Sequence, residues 1–318
     1  FTAPSTVMVA QEGQVWYNTT STVLKGFAYT EGTGAWASGG VLNAARNNTA
    51  GIGSQTAALV TGGTPPPSGS TATESYDGST WTEVNDLTTG RKLMGSNAIG
   101  TQTAGLLQGG STPTFVDVCE TWDGTSWTET ADLLVAKSYA TAAGTQTAGL
   151  YIGGATSQPT TVGTVESWNG SSWSETADMN TGRRYLSAGG TQTAALAFSG
   201  RSGASPYTAL TESWNGTSWT EVNDLNTGRQ YGAGISGPSA STSAVMVGGT
   251  GGTGLTERWD GTSWTELADL ATGRYQFAGN SSSPATTGLI AGGTSPLTTA
   301  TEEWTIPTSY TIKTFTAS

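Results

Sequence analysis

One motif of 14 residues recurs along the chain and constrains its fold more than any other feature. Five copies are clear, and a sixth, degenerate copy occupies 302–315. Trp36, which lies 45 residues before the second tryptophan of the first clear copy, Trp81, marks an earlier partner of the motif. The chain is therefore built from one supersecondary unit, repeated. The second tryptophans of the clear copies, at positions 81, 127, 173, 219 and 264, are spaced by 46, 46, 46 and 45 residues. Those copies are ESYDGSTWTEVNDL (74–87), ETWDGTSWTETADL (120–133), ESWNGSSWSETADM (166–179), ESWNGTSWTEVNDL (212–225) and ERWDGTSWTELADL (257–270).

Each repeat contains four segments with strand character. A basic residue precedes a run of small residues, such as ATAAG at 140–144, and an apolar run that ends in glycines follows, such as AGLYIGG at 148–154. A loop of variable length leads to the Glu-x-Trp strand and then to a DG or NG dipeptide. That dipeptide favours a two-residue hairpin turn with positive φ at both central positions. Four strands per repeat, without helical periodicity, predict an all-β protein with a β-propeller fold.

The propeller fold predicts where the strands of small residues and the tryptophans lie. The small residues suit the crowded central channel, and the tryptophans suit the widening gaps between blades. We favour seven blades, the first one divergent, with strands at 6–10, 14–18, 23–29 and 35–38. The alternative is six blades, with the strand around Trp36 completing the last sheet and the tail at 309–317 placed elsewhere.

The repeats resemble the kelch family, which implies a kelch-like β-propeller. The resemblance rests on the glycine doublet after an apolar strand, the acidic residue, the spaced aromatic pair and the basic residue before the next strand. The chain departs from the kelch pattern in spacing the aromatics five apart, as in Trp122 and Trp127, and in replacing one glycine of a doublet by Ser199. These departures bear more on the partners that the family implies than on the fold.

A second resemblance lies near the N-terminus. The run GQVWYNTTSTVLKGF at 13–27, followed by GTGAW at 32–36, is similar to a short β-rich module of bacteriophage tail-fibre and virion surface proteins. We therefore expect residues 1–42 to form a divergent blade or such a module, and residues 43–318 to form six kelch-like repeats, all in one propeller domain. The resemblance implies an extracellular place on the virion surface, with capsid or tail proteins and a host-surface glycan or protein as partners.

The composition excludes several classes of function. The chain has no histidine, the commonest general base and a frequent metal ligand, so we expect no enzyme, no metal and no cofactor. A net charge of −11 argues against nucleic acid as a partner, because phosphate binding depends on Lys and Arg. No apolar run of about 18 residues is present, so we expect no membrane insertion. The sequence is compatible with an oligomer.

Two sets of charged residues recur once per repeat. Opposed sets of this kind would suit a catalytic or glycan-binding crown, but they preserve the repeat symmetry, which a binding site normally breaks. We therefore expect structural pairs between them. The glutamates are Glu74, Glu120, Glu166, Glu212, Glu257 and Glu302, and the basic residues are Arg46, Arg91, Lys137, Arg183, Arg229 and Arg274.

The loops after the glycine doublets differ from repeat to repeat. Binding residues tend to lie on variable loops of a rigid scaffold, and Phe115, Arg201 and Tyr207 are the loop residues best able to anchor a ligand. Solvated turns without a ligand are the alternative. We favour a non-enzymatic structural or adhesion protein of a phage virion: a fibre, an appendage or a capsid decoration. The alternative is a carbohydrate-active or lectin-like propeller domain.

Overall fold

The computed structural model describes residues 15–18, 20, 23–203, 207–294 and 296–315 and contains only strands, turns and loops within them. It forms two compact units, one of Ala35–Thr305 and one of the described residues up to Gly34 and from Ile306 onward. The strands are β1 (Val15–Asn18), β2 (Val23–Glu31), β3 (Ala35–Ser38), β4 (Ala50–Ser54), β5 (Ala57–Thr61), β6 (Thr73–Tyr76), β7 (Trp81–Val84), β8 (Ile99–Thr101), β9 (Ala104–Gln108), β10 (Cys119–Trp122), β11 (Trp127–Thr130), β12 (Thr141–Thr145), β13 (Ala148–Ile152), β14 (Val165–Trp168), β15 (Trp173–Thr176), β16 (Ser187–Thr191), β17 (Ala194–Phe198), β18 (Thr211–Trp214), β19 (Trp219–Val222), β20 (Ala233–Ile235), β21 (Ala244–Val247), β22 (Thr256–Trp259), β23 (Trp264–Glu266), β24 (Thr287–Ala291), β25 (Thr301–Thr305) and β26 (Thr308–Phe315).

The larger unit is a β-propeller, as the repeats predict. Five antiparallel sheets each contain four consecutive strands, namely β4–β7, β8–β11, β12–β15, β16–β19 and β20–β23. The small-residue strand is innermost in each sheet, and contacts between neighbouring blades close a circle through β4, β8, β12, β16, β20 and β24. Gly51 shows why this circle needs small residues, since a Cβ there would lie 1.7 Å from the Gly279 carbonyl oxygen.

The sixth sheet is completed by the beginning of the propeller chain. Strand β3 pairs with β25 beside β24, with Trp36 opposite Trp304, and Ala278 forms a bridge to Ala291 at the inner edge. The described residues therefore contain six blades, which is the alternative count, and the favoured seventh blade is corrected. The reason is that the strand around Trp36 supplies the outer strand that the degenerate last repeat lacks.

The remaining sheet has the order β1-β2-β26. Residues 23–31, expected to belong to a divergent blade, instead pair with the tail, from Leu24 opposite Phe315 to Glu31 opposite Thr308. The boundary between the two units lies between Gly34 and Ala35, not between 42 and 43. The strand predicted at 6–10 lies outside the described residues.

The tryptophans fill the gaps between blades, as predicted. The second tryptophan of each motif donates its indole N–H to the preceding blade, as Trp173 does to the Ala131 carbonyl at 3.1 Å and Trp219 to the Ala177 carbonyl at 3.1 Å. The first tryptophan packs against it, with Trp168 and Trp173 ring centroids 5.1 Å apart. Each indole therefore stabilises the contact between two blades.

The predicted two-residue hairpin turn is wrong. The pairing of β6 and β7 ends at Tyr76 opposite Trp81, which leaves a loop of four residues. Only Gly78 has a positive φ there, and Asp77 accepts the backbone N–H groups of Ser79 and Thr80 at 2.8 Å. These hydrogen bonds to the Asp77 side chain take the place of the backbone hydrogen bond that a two-residue turn would make.

Candidate functional site

The recurring glutamates and basic residues form buried ion pairs within the blades. In each repeat the basic side chain pairs with the glutamate of its own blade, at 2.8 Å for Arg91 and Glu120 and 2.9 Å for Arg183 and Glu212. The other pairs are Arg46 with Glu74, Lys137 with Glu166, Arg229 with Glu257 and Arg274 with Glu302. All twelve residues are buried, so these groups belong to the scaffold and not to an exposed crown.

Each glutamate also holds the loop that enters its blade. The second carboxylate oxygen of Glu212 accepts the backbone N–H of Asn180 at 2.7 Å, and that of Glu166 accepts the N–H of Leu134 at 2.7 Å. Each glutamate therefore neutralises the charge of its basic partner and also accepts a hydrogen bond from a buried backbone N–H group.

Two residues after each of these basic positions, the backbone adopts a left-handed conformation. The ring positions, as we call them, are Asn48, Leu93, Tyr139, Tyr185, Tyr231 and Gln276, with φ between 54° and 63°. Each donates its N–H to the carbonyl of the ring position in the preceding blade, and Asn48 donates to Gln276. Six hydrogen bonds of 2.8–3.2 Å therefore close a circle around the propeller axis.

The face of the propeller that carries the ring positions also carries the variable loops. Backbone bridges join the loops that carry the ring positions to the variable loops, as between Ser138 and Ala155 and between Arg184 and Arg201. We call this side the ring face, and the opposite side, with the TQT and DG or NG turns, the turn face. Residues that differ between repeats thus lie together on the ring face.

The side chains at the ring positions break the sixfold symmetry. Three consecutive blades carry tyrosine, and the other three carry asparagine, leucine and glutamine. The ring centroids of Tyr139 and Tyr185 are 4.5 Å apart and those of Tyr185 and Tyr231 are 4.0 Å apart. Tyr275 extends this tyrosine arc at 6.1 Å from Tyr231, and Phe115 extends it at the other end at 5.6 Å from Tyr139.

A depression that is open to solvent lies on the axis at this ring. All six ring positions line it, together with Thr49 and Ser96, whose buried hydroxyls have no hydrogen-bond partner in the described part of the chain. Beyond Ser96 the channel is bridged by Asn97, which donates to the Gly234 carbonyl of an opposite blade at 2.9 Å. The depression thus has an aromatic wall, an amide-bearing wall and no charged residue among those that line it.

Tyr139 and Tyr231 stay neutral at physiological pH. Burial raises the pKa of Tyr139 to about 12, and the neighbouring Tyr185 adds to the rise. Burial also raises the pKa of Tyr231, with a further contribution from its hydrogen bond to Tyr185. The arc therefore combines packed aromatic rings with the hydroxyl groups of Tyr139 and Tyr231, which donate and accept hydrogen bonds.

The structure brings the three predicted binding residues to the ring face. Phe115 is half-buried and lies edge-on to Tyr139, with an interplanar angle of 88°. Arg201 forms backbone bridges with both Tyr207 and Arg184, and Tyr207 is 46% exposed. The three residues surround the arc without forming one cluster.

Sequence reasoning missed the tyrosine arc itself. Its signal lies in the residues after each basic position, which read KSY at 137–139, RRY at 183–185 and RQY at 229–231, against RNN at 46–48 and RKL at 91–93. The tyrosines were hidden because an alignment of the repeats on their glycines and tryptophans leaves this position among the variable ones.

The described residues contain no group of three or more histidine, cysteine, aspartate or glutamate side chains able to hold a metal ion. No helix long and apolar enough to cross a bilayer occurs among them.

Comparisons with known proteins establish the fold. No family model matches the sequence, and no curated protein matches it. A solved structure titled "Structure of YjhT" superposes with a TM-score of 0.68, covering 86% of this chain and 99% of that chain at 12% sequence identity. At this identity the likeness supports the propeller fold and nothing finer.

Proposed function

We propose that the chain is a kelch-like, non-enzymatic adhesion protein on the surface of a phage virion, in a fibre, an appendage or a capsid decoration. We further propose that its ring face binds a host-surface saccharide while other surfaces contact capsid or tail proteins. The virion setting is supported by the phage-like N-terminal segment, and the binding role by the ring face.

The observation that carries the binding role is the broken symmetry of the ring positions. The scaffold positions repeat from blade to blade, but tyrosine occupies three adjacent ring positions and amide side chains occupy two others. Sites for small ligands combine apolar and aromatic walls with a few polar groups that fix orientation. A saccharide, with an apolar ring face and several hydroxyls, matches tyrosine faces and amide groups of this kind.

The lining also supports binding over hydrolysis. Glycoside hydrolysis generally uses a pair of carboxyl groups beside the scissile bond. The described residues that line the depression include no carboxylate, and the six recurring glutamates are engaged in ion pairs inside the blades. The lectin-like alternative is therefore the form of saccharide recognition that we adopt.

Two measurements test the proposal. Mass spectrometry of purified particles of the phage that encodes the chain should find it at a fixed stoichiometry to the capsid protein, and its absence would refute the virion role. A glycan array should give binding that Tyr185→Ala removes and that Thr147→Ala, an exposed change on the turn face, leaves intact. Equal loss in both variants, or none in either, would refute binding at the ring face.

A further inference from the structure

Arg184 is a buried cation without a carboxylate partner in the described part of the chain. Its relative exposure is 3%, and it is one of seven basic residues that are buried there. The other six are the recurring basic residues, each of which pairs with a glutamate. Because an unpaired charge is costly to bury, a buried guanidinium normally has an anionic partner.

The groups around Arg184 are hydrogen-bonding and neutral. One terminal nitrogen donates to the Gln158 side-chain oxygen at 3.3 Å, and the Nε has no acceptor among the described residues. The guanidinium carbon lies 5.1 Å from the centroid of the Tyr185 ring, which connects Arg184 to the tyrosine arc.

Three phenol groups and one amide meet at the same place. Gln158 donates to the Tyr185 hydroxyl at 3.3 Å, and the ring centroids of Tyr139 and Tyr231 lie 4.5 and 4.0 Å from that of Tyr185. A guanidinium and several neutral O–H donors, with no carboxylate among them, form a set of donors suited to an oxyanion.

The repeats show that the scaffold does not require this arginine. The equivalent positions in the other blades hold Asn47, Lys92, Ser138, Gln230 and Tyr275. Of these only Lys92 is basic, and it is half-buried with its ammonium donating to the Pro67 carbonyl. Arg184 thus departs from the repeat. It lies beside the tyrosines of the ring positions, which also depart from the repeat.

We propose that Arg184 and the hydroxyls of Tyr139, Tyr185 and Tyr231 bind an oxyanion, a carboxylate or a sulfate ester, carried by a saccharide that lies on the tyrosine arc. The oxyanion takes the place of the Gln158 side-chain oxygen, which belongs to an exposed loop residue. This inference rests on the proposed binding of a saccharide by the ring face and narrows its class to acidic saccharides, although the protein itself carries a net charge of −11.

Calorimetric titration with three small sugars tests the inference. Glucuronate and glucose 6-sulfate represent the two oxyanions, and glucose is their neutral counterpart. We expect one or both acidic sugars to bind at least about tenfold more tightly than glucose, since a tenfold ratio needs only about 1.4 kcal/mol. Arg184→Gln should abolish the preference, and Lys92→Gln, which removes the same charge from the equivalent position of another blade, should keep it.

The two acidic sugars separate the sources of the oxyanion. Preference for glucuronate assigns a carboxylate, preference for glucose 6-sulfate assigns a sulfate ester, and either result supports the site. Equal binding of all three sugars overturns the anion site while leaving saccharide binding intact. Binding of none of them, or an equal loss in both variants, overturns the inference.

A second variant tests Arg184 without any ligand. Gln158→Glu places a carboxylate beside the guanidinium, so we expect Tm to rise by about 2–4 °C and glucuronate binding to be lost. Thr156→Glu adds the same charge to an exposed position of that loop and should leave Tm unchanged.

An unchanged or lowered Tm in Gln158→Glu would contradict an unpaired Arg184 and overturn the inference. A raised Tm with no sugar bound by the wild type would instead show that the unpaired charge is real and that saccharide binding, the proposed function, has failed.

Discussion

Arg183 and Arg184 are neighbours in the sequence, and both are buried, yet their surroundings are opposite. Arg183 pairs with Glu212 at 2.9 Å and donates to the Ser199 and Leu210 carbonyls at 3.0 and 2.7 Å. Arg184 has an amide oxygen as its acceptor and a tyrosine ring beside it. The first arginine recurs in nearly every blade, and the second occurs in one.

The difference teaches how this chain separates the positions that stabilise the fold from those to which we assign the proposed binding. Each recurring basic residue pairs with a carboxylate of its own blade, so these positions stabilise the scaffold. Arg184, which departs from the repeat at the ring face, has no carboxylate partner in the described part of the chain. The predictions below test this division, beginning with the largest expected effect.

Removing the partner of Arg183 should cost most. Glu212→Gln leaves a buried guanidinium without its carboxylate, and breaking a buried pair from one side costs about 3–5 kcal/mol. Denaturant unfolding should show a loss of that size. Glu221→Gln removes an exposed glutamate on the adjacent strand and should change the free energy of unfolding by less than about 0.5 kcal/mol. Similar losses in the two variants would contradict the scaffold role of the pair.

The closure of the sixth blade should be nearly as important. Trp36 contacts Trp304 with ring centroids 5.2 Å apart and donates to the Ala268 carbonyl at 3.1 Å, although it is only half-buried. Trp36→Ala should therefore cost about 2–3 kcal/mol, somewhat less than the 3–5 typical of a fully buried tryptophan. Trp173→Ala, at a buried position of an internal blade, is the matched comparison. A neutral Trp36→Ala would mean that β3 does not hold the sheet.

A change in the tyrosine arc should affect binding more than stability. Tyr185→Leu keeps an apolar side chain but removes the aromatic face and the hydroxyl, so glucuronate affinity should fall by at least about tenfold. The free energy of unfolding should fall by less than about 1.5 kcal/mol. Calorimetric titration and denaturant unfolding of the same sample give both numbers. A large loss of stability with unchanged affinity would assign Tyr185 to the scaffold.

The smallest effect concerns the turn face and pH. Hydrogen bonds from Thr80 and Ser79 lower the pKa of the Asp77 carboxyl, and those from turn residues lower the pKa of Asp123 and Asp260. A carboxyl with a lowered pKa in the folded state stabilises the fold above its unfolded pKa of about 3.9, and this contribution is lost as the pH falls below that value. Replacing all three by asparagine should flatten the decline of stability below about pH 4.

The repeats supply a control for that pH effect. Asn169 and Asn215 occupy the same turn position and accept the same backbone N–H groups, at 2.9 Å. Changing both to aspartate should steepen the acid decline that the triple variant flattens. Acid unfolding curves that do not differ among these variants would contradict the role of the carboxylates.

The fold was predictable because its determinants repeat. The spacing of Trp81, Trp127, Trp173, Trp219 and Trp264 was enough to indicate blades, and the small inner strands indicated the channel. The blade count was not predictable with the same ease. The N-terminal strand around Trp36 has no repeat of its own, and only the pairing of β3 with β25 shows which sheet it completes.

The site was less predictable for a physical reason. Tyr139, Tyr185 and Tyr231 are 46 residues apart in turn, and only the closed ring of blades makes them neighbours. The repeat assigns Arg183 to the glutamate, but it does not show that Arg184 beside it is also buried. The loop residues Phe115, Arg201 and Tyr207 lie on the ring face but do not line the depression on its axis.

A crystal structure of the protein with a glucuronate-containing oligosaccharide tests the central claim most directly. That claim is that the ligand binds where the repeats differ. The account predicts the sugar ring against the tyrosine arc, in contact with Tyr185, with the carboxylate within hydrogen-bond distance of Arg184. An oligosaccharide seated on the turn face, or on the ring face with its carboxylate away from Arg184, would contradict the account.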